Sequence, residues 1–301
     1  MISKEQLEKI KLIALDLDGT TLTRNGLTRR TRETLEETIA RGYKVVIATG
    51  RPFVALPESM LEIAGLEHVI ISNGAHIVTV PQGEFIYSDY MEPAASLRCC
   101  QILESENFDI EVFTGGKAFV DKALYEDLET NGSDYLSYKY ILRTRKPVEG
   151  IFDFWRERSD EIENVNIYFR CPEDRARMYE AFAEVESVTV TSSMPKNIEL
   201  GGEGTSKATA IEVLCDMLGL TMENVMAFGD NPNDRSMIED AGIGVAMGNS
   251  TEDVLAVADH IAPTCDEEGV AYTIRTMLFG EVNGMPERRN LWKMIREKLI
   301  K

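Results

Sequence analysis

The chain has 301 residues, 44% hydrophobic and 28% charged, a composition typical of a globular protein with length for about two domains. Its formal net charge of −19 disfavours nucleic acid and anionic membranes as partners, and no apolar run approaches the roughly 20 residues of a membrane span. The N-terminus also lacks the apolar region of a signal peptide, so we expect a cytoplasmic protein.

The first third of the chain alternates strand and helix patterns. Apolar runs predict strands at 10–15, at 43–48 and in HVIISNGA, and RRTRETLEETIARG predicts a helix that ends at Gly42. Pro52 is predicted to open a further helix that runs to about Ala64. Near-continuous apolar strands separated by helices indicate an α/β fold with a parallel sheet covered on both faces.

The pattern changes near residue 83. The segments FDIEVFTGG and KAFVD predict a hairpin, and NVNIYFR, a helix near 173–184 and SVTVTSS predict a strand–helix–strand unit. These strands alternate apolar and polar residues, which is typical of a sheet with one solvated face. We therefore predict an inserted α/β domain at 87–192, within a core formed by 1–86 and 193–301.

The first pattern returns near residue 195. Helices are predicted in SKATAIEVLCDMLG, NDRSMIEDAG and TEDVLAVAD, and strands in NVMAFGD, GIGVAM and HIAP. The tail, MPERRNLWKMIREKLIK, predicts a basic amphipathic helix, which we expect to pack on the core; packing against a second subunit in a homodimer is the alternative.

Acidic residues cluster where predicted core strands end. Within IKLIALDLDGTTL an apolar run ends in Asp16 and Asp18, and NVMAFGDNPND carries Asp230 and Asp234. Ligands of parallel α/β sheets bind at this edge, and four carboxylates cannot all be ionised there without a cation. Mg²⁺ prefers oxygen ligands, and Lys207 at a helix start could face an anion. The sequence therefore predicts a magnesium–phosphate site.

These motifs resemble those of haloacid dehalogenase-superfamily phosphatases of the Cof type, with an α/β (type IIB) cap inserted between the second and third motifs. The matching segments are DLDGT, ATGR, GTSKATA and GDNPND, with SNGA and DEEGVA as further Cof-type signatures. The resemblance implies a Rossmann-like core and a Mg²⁺-dependent phosphomonoester hydrolase. Its substrates would be small phosphorylated metabolites, either sugar or cofactor phosphates, processed through an aspartyl-phosphate.

The resemblance also implies a role for each matching residue. Asp16 would be the nucleophile and a magnesium ligand. Asp18 would be the general acid/base, and its backbone carbonyl a second ligand. Asp230 would be the third protein ligand, and Asp234 would support the metal directly or through water. The phosphoryl oxygens would be held by Thr49, Lys207, Asn233 and the amides of Leu17 and Gly50.

Two alternatives stay open. A phosphomutase would form the same aspartyl-phosphate but pass the phosphoryl group to a sugar. A sensor would bind metal and a phosphate ligand without turnover, although it would have no need of Asp18 as an acid/base. Dehalogenation is disfavoured, because halide displacement has no use for the magnesium-binding acids.

Overall fold

The computed structural model describes residues 2–281, so the predicted tail helix lies outside the described residues. The first of two sheets has eight strands. In order across the sheet, with strands numbered along the chain, they are β14 (His260–Ile261), β13 (Ile243–Ala246), β12 (Val225–Gly229), β1 (Leu12–Leu15), β2 (Lys44–Ala48), β3 (His68–Ile71), β4 (His76–Thr79) and β5 (Phe85–Ser88).

The first sheet is parallel from β14 to β3. β4 then pairs antiparallel with β3, and β5 pairs antiparallel with β4. The parallel sheet is therefore confirmed for the predicted core strands, whereas sequence analysis missed β4 and β5, which extend this edge by antiparallel pairing. The chain reverses within the short turn Ser72–Gly74 instead of crossing over through a helix, so β4 returns beside β3 in the opposite direction.

Helices cover both faces of this sheet, as the α/β pattern predicts. They are α1 (Lys4–Lys9), α2 (Arg29–Ala40), α3 (Glu58–Leu61), α9 (Lys207–Leu218), α10 (Arg235–Asp240), α11 (Glu252–Val257) and α12 (Gly269–Met277). Successive side chains of β1 point to opposite faces. Ile13 accordingly lies in the core cluster that contains Leu35 of α2, and Ala14 in the cluster that contains Ile211 of α9.

The helix predicted from Pro52 to about Ala64 is wrong. The structure has a 3₁₀ turn at Phe53–Ala55 and then the short helix α3. Pro57 separates them, because proline has no N–H to donate and disfavours helical backbone at the residue before it. Leu56 is accordingly extended, with φ −69° and ψ 137°.

The second sheet has six strands. In order across it they are β10 (Val188–Thr191), β11 (Asn197–Gly202), β9 (Asn164–Tyr168), β6 (Asp109–Thr114), β7 (Lys117–Asp121) and β8 (Arg145–Val148). The predicted hairpin is confirmed by the antiparallel pairing of β6 and β7. Five helices accompany the sheet: α4 (Pro93–Glu104), α5 (Lys122–Asn131), α6 (Tyr138–Thr144), α7 (Ile151–Arg156) and α8 (Pro172–Ala183).

The two faces of the second sheet differ in polarity. Val112, Ile167 and Ile198 lie in a hydrophobic cluster with residues of α4, α7 and α8. The alternate residues of β6, β9 and β11 are mostly polar and buried: Glu111, Asn164, Asn166, Asn197 and Glu199. Because Glu199 of this set contacts Asn73 in a loop of the first sheet, we call it the inner face.

Strand pairing supports different edges for the insertion predicted at 87–192. β5 continues the first sheet to Ser88, and β11 pairs with β9 and β10, so residues 197–202 belong to the second sheet. An apolar–polar alternation does not say which sheet a strand joins. We propose that the inserted unit, called the cap below, spans 89–202. Within residues 2–281, no helix has both the length and the apolar character needed to cross a membrane.

Candidate active site

The structure brings three of the four predicted carboxylates together. Asp16 follows β1 and Asp230 follows β12, which are neighbouring parallel strands, while Asp234 lies in the turn after Asp230. One carboxylate oxygen of each lies within 4.8 Å of the others, and all three residues are buried. The carboxyl edge of the sheet therefore carries a compact acidic cluster.

Lys207 supplies a cation to this cluster. It begins α9, whose N-cap Ser206 accepts a hydrogen bond from the amide of Thr209. Its fully buried Nζ donates to Asp16 Oδ1 at 2.6 Å and to Asp234 Oδ1 at 2.5 Å. One ammonium does not balance three carboxylates, so the cluster retains excess acidic character.

The protonation equilibria reflect this excess. Burial, reinforced by Asp234, raises the pKa of Asp16 well above its ordinary value, and the same two causes raise the pKa of Asp230 to about 7. Burial opposes the charged form of Lys207, but Asp16 and Asp234 outweigh it and hold the lysine pKa above its usual range. A hard divalent cation would relieve the repulsion that produces these shifts, so the donor set fits such a metal.

Neighbouring groups fix the orientation of Asp230. Thr20 Oγ1 donates to its Oδ1 at 3.0 Å, and the Asn231 and Asn249 amides donate to its Oδ2 at 2.9 and 3.2 Å. Gly19 has φ +81°, and a Cβ there would collide with the Asp230 carboxylate. Sequence analysis missed Thr20 and Asn249; the only local signal was that Thr20 lies within DLDGT.

Asp18 lies apart from the acidic cluster. Its carboxylate is 57% exposed and pairs with Arg51, through Nε–Oδ2 at 2.7 Å and Nη2–Oδ1 at 2.5 Å. Arg51 also donates to the carbonyl of Ala55 at 3.0 Å, and its guanidinium lies over the ring of Tyr140 in the cap. The fourth predicted carboxylate is therefore at the junction of core and cap.

The predicted phosphate-binding residues lie at the same edge of the sheet. Thr49 and Gly50 follow β2, Leu17 follows Asp16, and Asn233 precedes Asp234. Leu17, Thr49 and Asn233 are all buried. Asn73, for which the sequence favours turn geometry over a contact with substrate or cap, joins two of them: its Oδ1 accepts from Asn233 Nδ2 at 3.0 Å, and a Cβ on Gly50 would lie 2.9 Å from the same oxygen.

Comparison with known proteins gives consistent matches. The family model of haloacid dehalogenase-like hydrolases matches residues 13–274. Phosphatase YwpJ of Bacillus subtilis is 31% identical over 288 residues, covering 89% of this chain and 100% of that protein. The 5-amino-6-(5-phospho-D-ribitylamino)uracil phosphatase YcsE of the same organism is 30% identical over 279 residues, covering 91% and 98%.

Solved structures agree with this match. A haloacid dehalogenase-like hydrolase from B. subtilis is 29% identical and has a TM-score of 0.75, covering 88% of this chain and 99% of that one. The subclass IIB sugar phosphatase BT4131 has a TM-score of 0.76 at 24% identity, covering 90% and 99%. The latter similarity supports the α/β fold with a cap.

Proposed function

The chain belongs to the haloacid dehalogenase-like hydrolases, and we propose that it is a Mg²⁺-dependent phosphatase that hydrolyses small phosphomonoesters through an aspartyl-phosphate on Asp16. The observation that carries the proposal is the buried cluster of Asp16, Asp230, Asp234 and Lys207. The phosphatase names of the relatives support the reaction class.

Asp16, Asp230 and Asp234, with the backbone carbonyl of Asp18, would hold the metal. When bound, Mg²⁺ would neutralise phosphoryl charge and orient the ester for in-line attack. Asp16 suits the nucleophile because Lys207 and the metal together would favour its ionised form, in spite of its burial.

The reaction needs two displacements at phosphorus. A carboxylate oxygen of Asp16 attacks phosphorus, the ester P–O bond breaks, and Asp18 gives its proton to the leaving alkoxide. Water then attacks the aspartyl-phosphate, Asp18 takes a proton from that water, and inorganic phosphate leaves while Asp16 is regenerated. Thr49, Lys207, Asn233 and the amides of Leu17 and Gly50 would bind the phosphoryl oxygens throughout.

The test is phosphate release from a panel of esters, with Mg²⁺ and with a chelator. The panel contains 4-nitrophenyl phosphate, sugar phosphates, pyridoxal phosphate and flavin mononucleotide. We expect Mg²⁺-dependent release that Asp16→Asn abolishes. The control is Asp240→Asn at an exposed aspartate that ends α10, which should retain full activity.

Each other outcome contradicts part of the proposal. More than a few per cent of activity in Asp16→Asn would exclude Asp16 as the nucleophile. Phosphoryl transfer to an added sugar without phosphate release would indicate a phosphomutase. Binding of phosphate and Mg²⁺ with no turnover of any ester would indicate a sensor.

A further inference from the structure

The turn between β3 and β4 is strained and is held by the cap. Ser72, Asn73 and Gly74 have φ of 50°, 58° and 106°, a backbone conformation that non-glycine residues rarely adopt. Ser72 Oγ donates to Glu163 Oε2 at 2.8 Å, and Asn73 Nδ2 donates to Glu199 Oε2 at 2.6 Å. Two buried carboxylates of the cap therefore each bind one strained residue of the core.

Glu199 is deeply placed on the inner face of the cap. It lies on β11, is 5% exposed, and also accepts hydrogen bonds from Asn197 Nδ2 at 2.9 Å and from Ser193 Oγ. Burial raises the pKa of this carboxyl, whereas the hydrogen bonds from Ser193, Asn73 and Asn197 act to lower it. A buried carboxylate is costly, so its position against Asn73 calls for a reason beyond packing.

The polarity of Glu199 dictates how the next two amides are oriented. An ionised carboxylate only accepts hydrogen bonds, so Asn73 must turn its NH₂ towards Glu199 and its Oδ1 away. That oxygen accepts from Asn233 Nδ2, which fixes the NH₂ of Asn233 on the Asn73 side and leaves its second N–H for another acceptor. The amide orientation thus passes from cap to core.

The cap also holds the backbone of the core turn that carries Asn233. The amide of Asn233 donates to the carbonyl of Ser192 at 3.2 Å, and Ser192 adjoins Ser193, a donor to Glu199. Asn233 is therefore fixed twice from the cap, through its main chain and through Asn73. The turn that it occupies also carries Asp234, one member of the acidic cluster.

We propose that Glu199 is a positioning residue of the phosphate site: when the cap is seated on the core, Glu199 orients Asn73, and Asn73 presents the Asn233 amide to the phosphoryl group. This inference rests on the proposed function. The seated cap would accordingly favour phosphoryl binding in two ways, by enclosing the site and by setting the direction of these hydrogen bonds.

The experiment reverses the direction of one hydrogen bond. In Glu199→Gln, position 199 can donate as well as accept, so the orientation of Asn73 is no longer dictated. In Asn73→Asp, two carboxylates face each other. In the double variant, the new amide at 199 can donate to the new carboxylate at 73, whose other oxygen still accepts from Asn233. The double variant therefore restores the link to Asn233.

The readout is the Kd of inorganic phosphate in Mg²⁺, measured by calorimetry and therefore independent of turnover, together with kcat and KM. We expect each single variant to bind phosphate about 10-fold or more weakly, the effect of losing a hydrogen bond to a charged group, and the double variant to lie within about 3-fold of wild type. Glu163→Gln is the matched control, because it alters a buried cap carboxylate that binds the same turn through Ser72. It should retain phosphate binding within about 3-fold.

Three results would overturn the proposal: phosphate affinity unchanged in both single variants, a double variant no better than Asn73→Asp, or an equal loss in Glu163→Gln. If Asn73→Asp does not fold, the contrast of Glu199→Gln with Glu163→Gln decides between the same outcomes. Failure of the proposed function is distinguishable, because wild type itself would then release no phosphate from any ester.

Discussion

Arg51 holds the carboxylate of Asp18 with two contacts while its guanidinium lies 5.1 Å from the ring centre of Tyr140. Asp18 belongs to the core and Tyr140 to α6 of the cap, so one side chain joins the proposed acid/base to the cap. Because the Asp18 side chain is 57% exposed, solvent screens the ion pair, and its main effect is on geometry.

Arg51→Lys should therefore impair proton donation more than substrate binding. Lysine keeps the charge but lacks the planar fork that orients Asp18 and the flat surface that meets Tyr140. We expect kcat to fall about 10-fold on an alkyl phosphate and less than about 3-fold on 4-nitrophenyl phosphate, whose leaving group needs little protonation. Equal losses on both esters would contradict this role. Arg177→Lys, at an exposed arginine that pairs with Glu106 in the cap, is the control and should change neither value.

Lys207→Met should destabilise the metal-free protein. The substitution leaves Asp16 and Asp234 buried without their cation, and breaking a buried pair in this way typically costs about 3–5 kcal/mol. Urea unfolding without metal measures the loss, which saturating Mg²⁺ should reduce by replacing part of the missing charge. Lys122→Met, at an exposed pair with Glu149, should leave the unfolding midpoint unchanged. A comparable midpoint for both variants would contradict the prediction.

Stability without metal should fall as pH rises. The folded-state pKa values of Asp16 and Asp230 are raised above that of an unfolded aspartate, about 3.9. Their favourable contribution to folding stability is therefore complete below pH about 4. It is lost as the pH rises through their folded-state pKa values, and the pKa of Asp230 is about 7. Because metal displaces these protons, Mg²⁺ should raise Tm more at pH 8 than at pH 6. A metal-induced Tm increase that is independent of pH would contradict the assignment.

Glu111→Gln should destabilise the cap. Glu111 and Arg145 form a buried ion pair on the inner face, with Nε–Oε1 at 3.0 Å and Nη2–Oε2 at 2.8 Å. Removing the carboxylate charge leaves a buried guanidinium uncompensated, a loss of about 3–5 kcal/mol in unfolding free energy by denaturant titration. Glu106→Gln, at the more exposed pair with Arg177, should have a smaller effect, and equal effects would show that burial of the Glu111 pair is energetically unimportant.

The sequence predicts best what depends on local pattern. Strand ends and helix starts follow from apolar periodicity, and a parallel sheet brings its strand ends to one edge, so Asp16, Asp230 and Lys207 are predictable as neighbours. Their contacts follow from topology: β1 and β12 are adjacent although more than half the chain separates them.

The contacts of the cap could not be predicted in the same way. Glu199 lies in NIELGG, which sequence analysis did not predict as a strand and which the structure shows as β11 of the second sheet. Its contact with Asn73 depends on how the cap is seated, which is a property of two folded units. The spacing within DLDGT likewise does not predict where the Asp18 side chain points, because its partner Arg51 comes from a different loop.

The two faces of the cap sheet should diverge at different rates and in different ways among related proteins. On the helix-covered face, Val112 or Ile167 can exchange with other apolar side chains of similar volume one at a time. On the inner face, a change at Glu111 or Glu199 leaves a buried donor, Arg145 or Asn73, without its hydrogen-bond acceptor. Evolution of that face therefore requires paired substitutions, and positions 111 with 145, and 73 with 199, should covary in homologues.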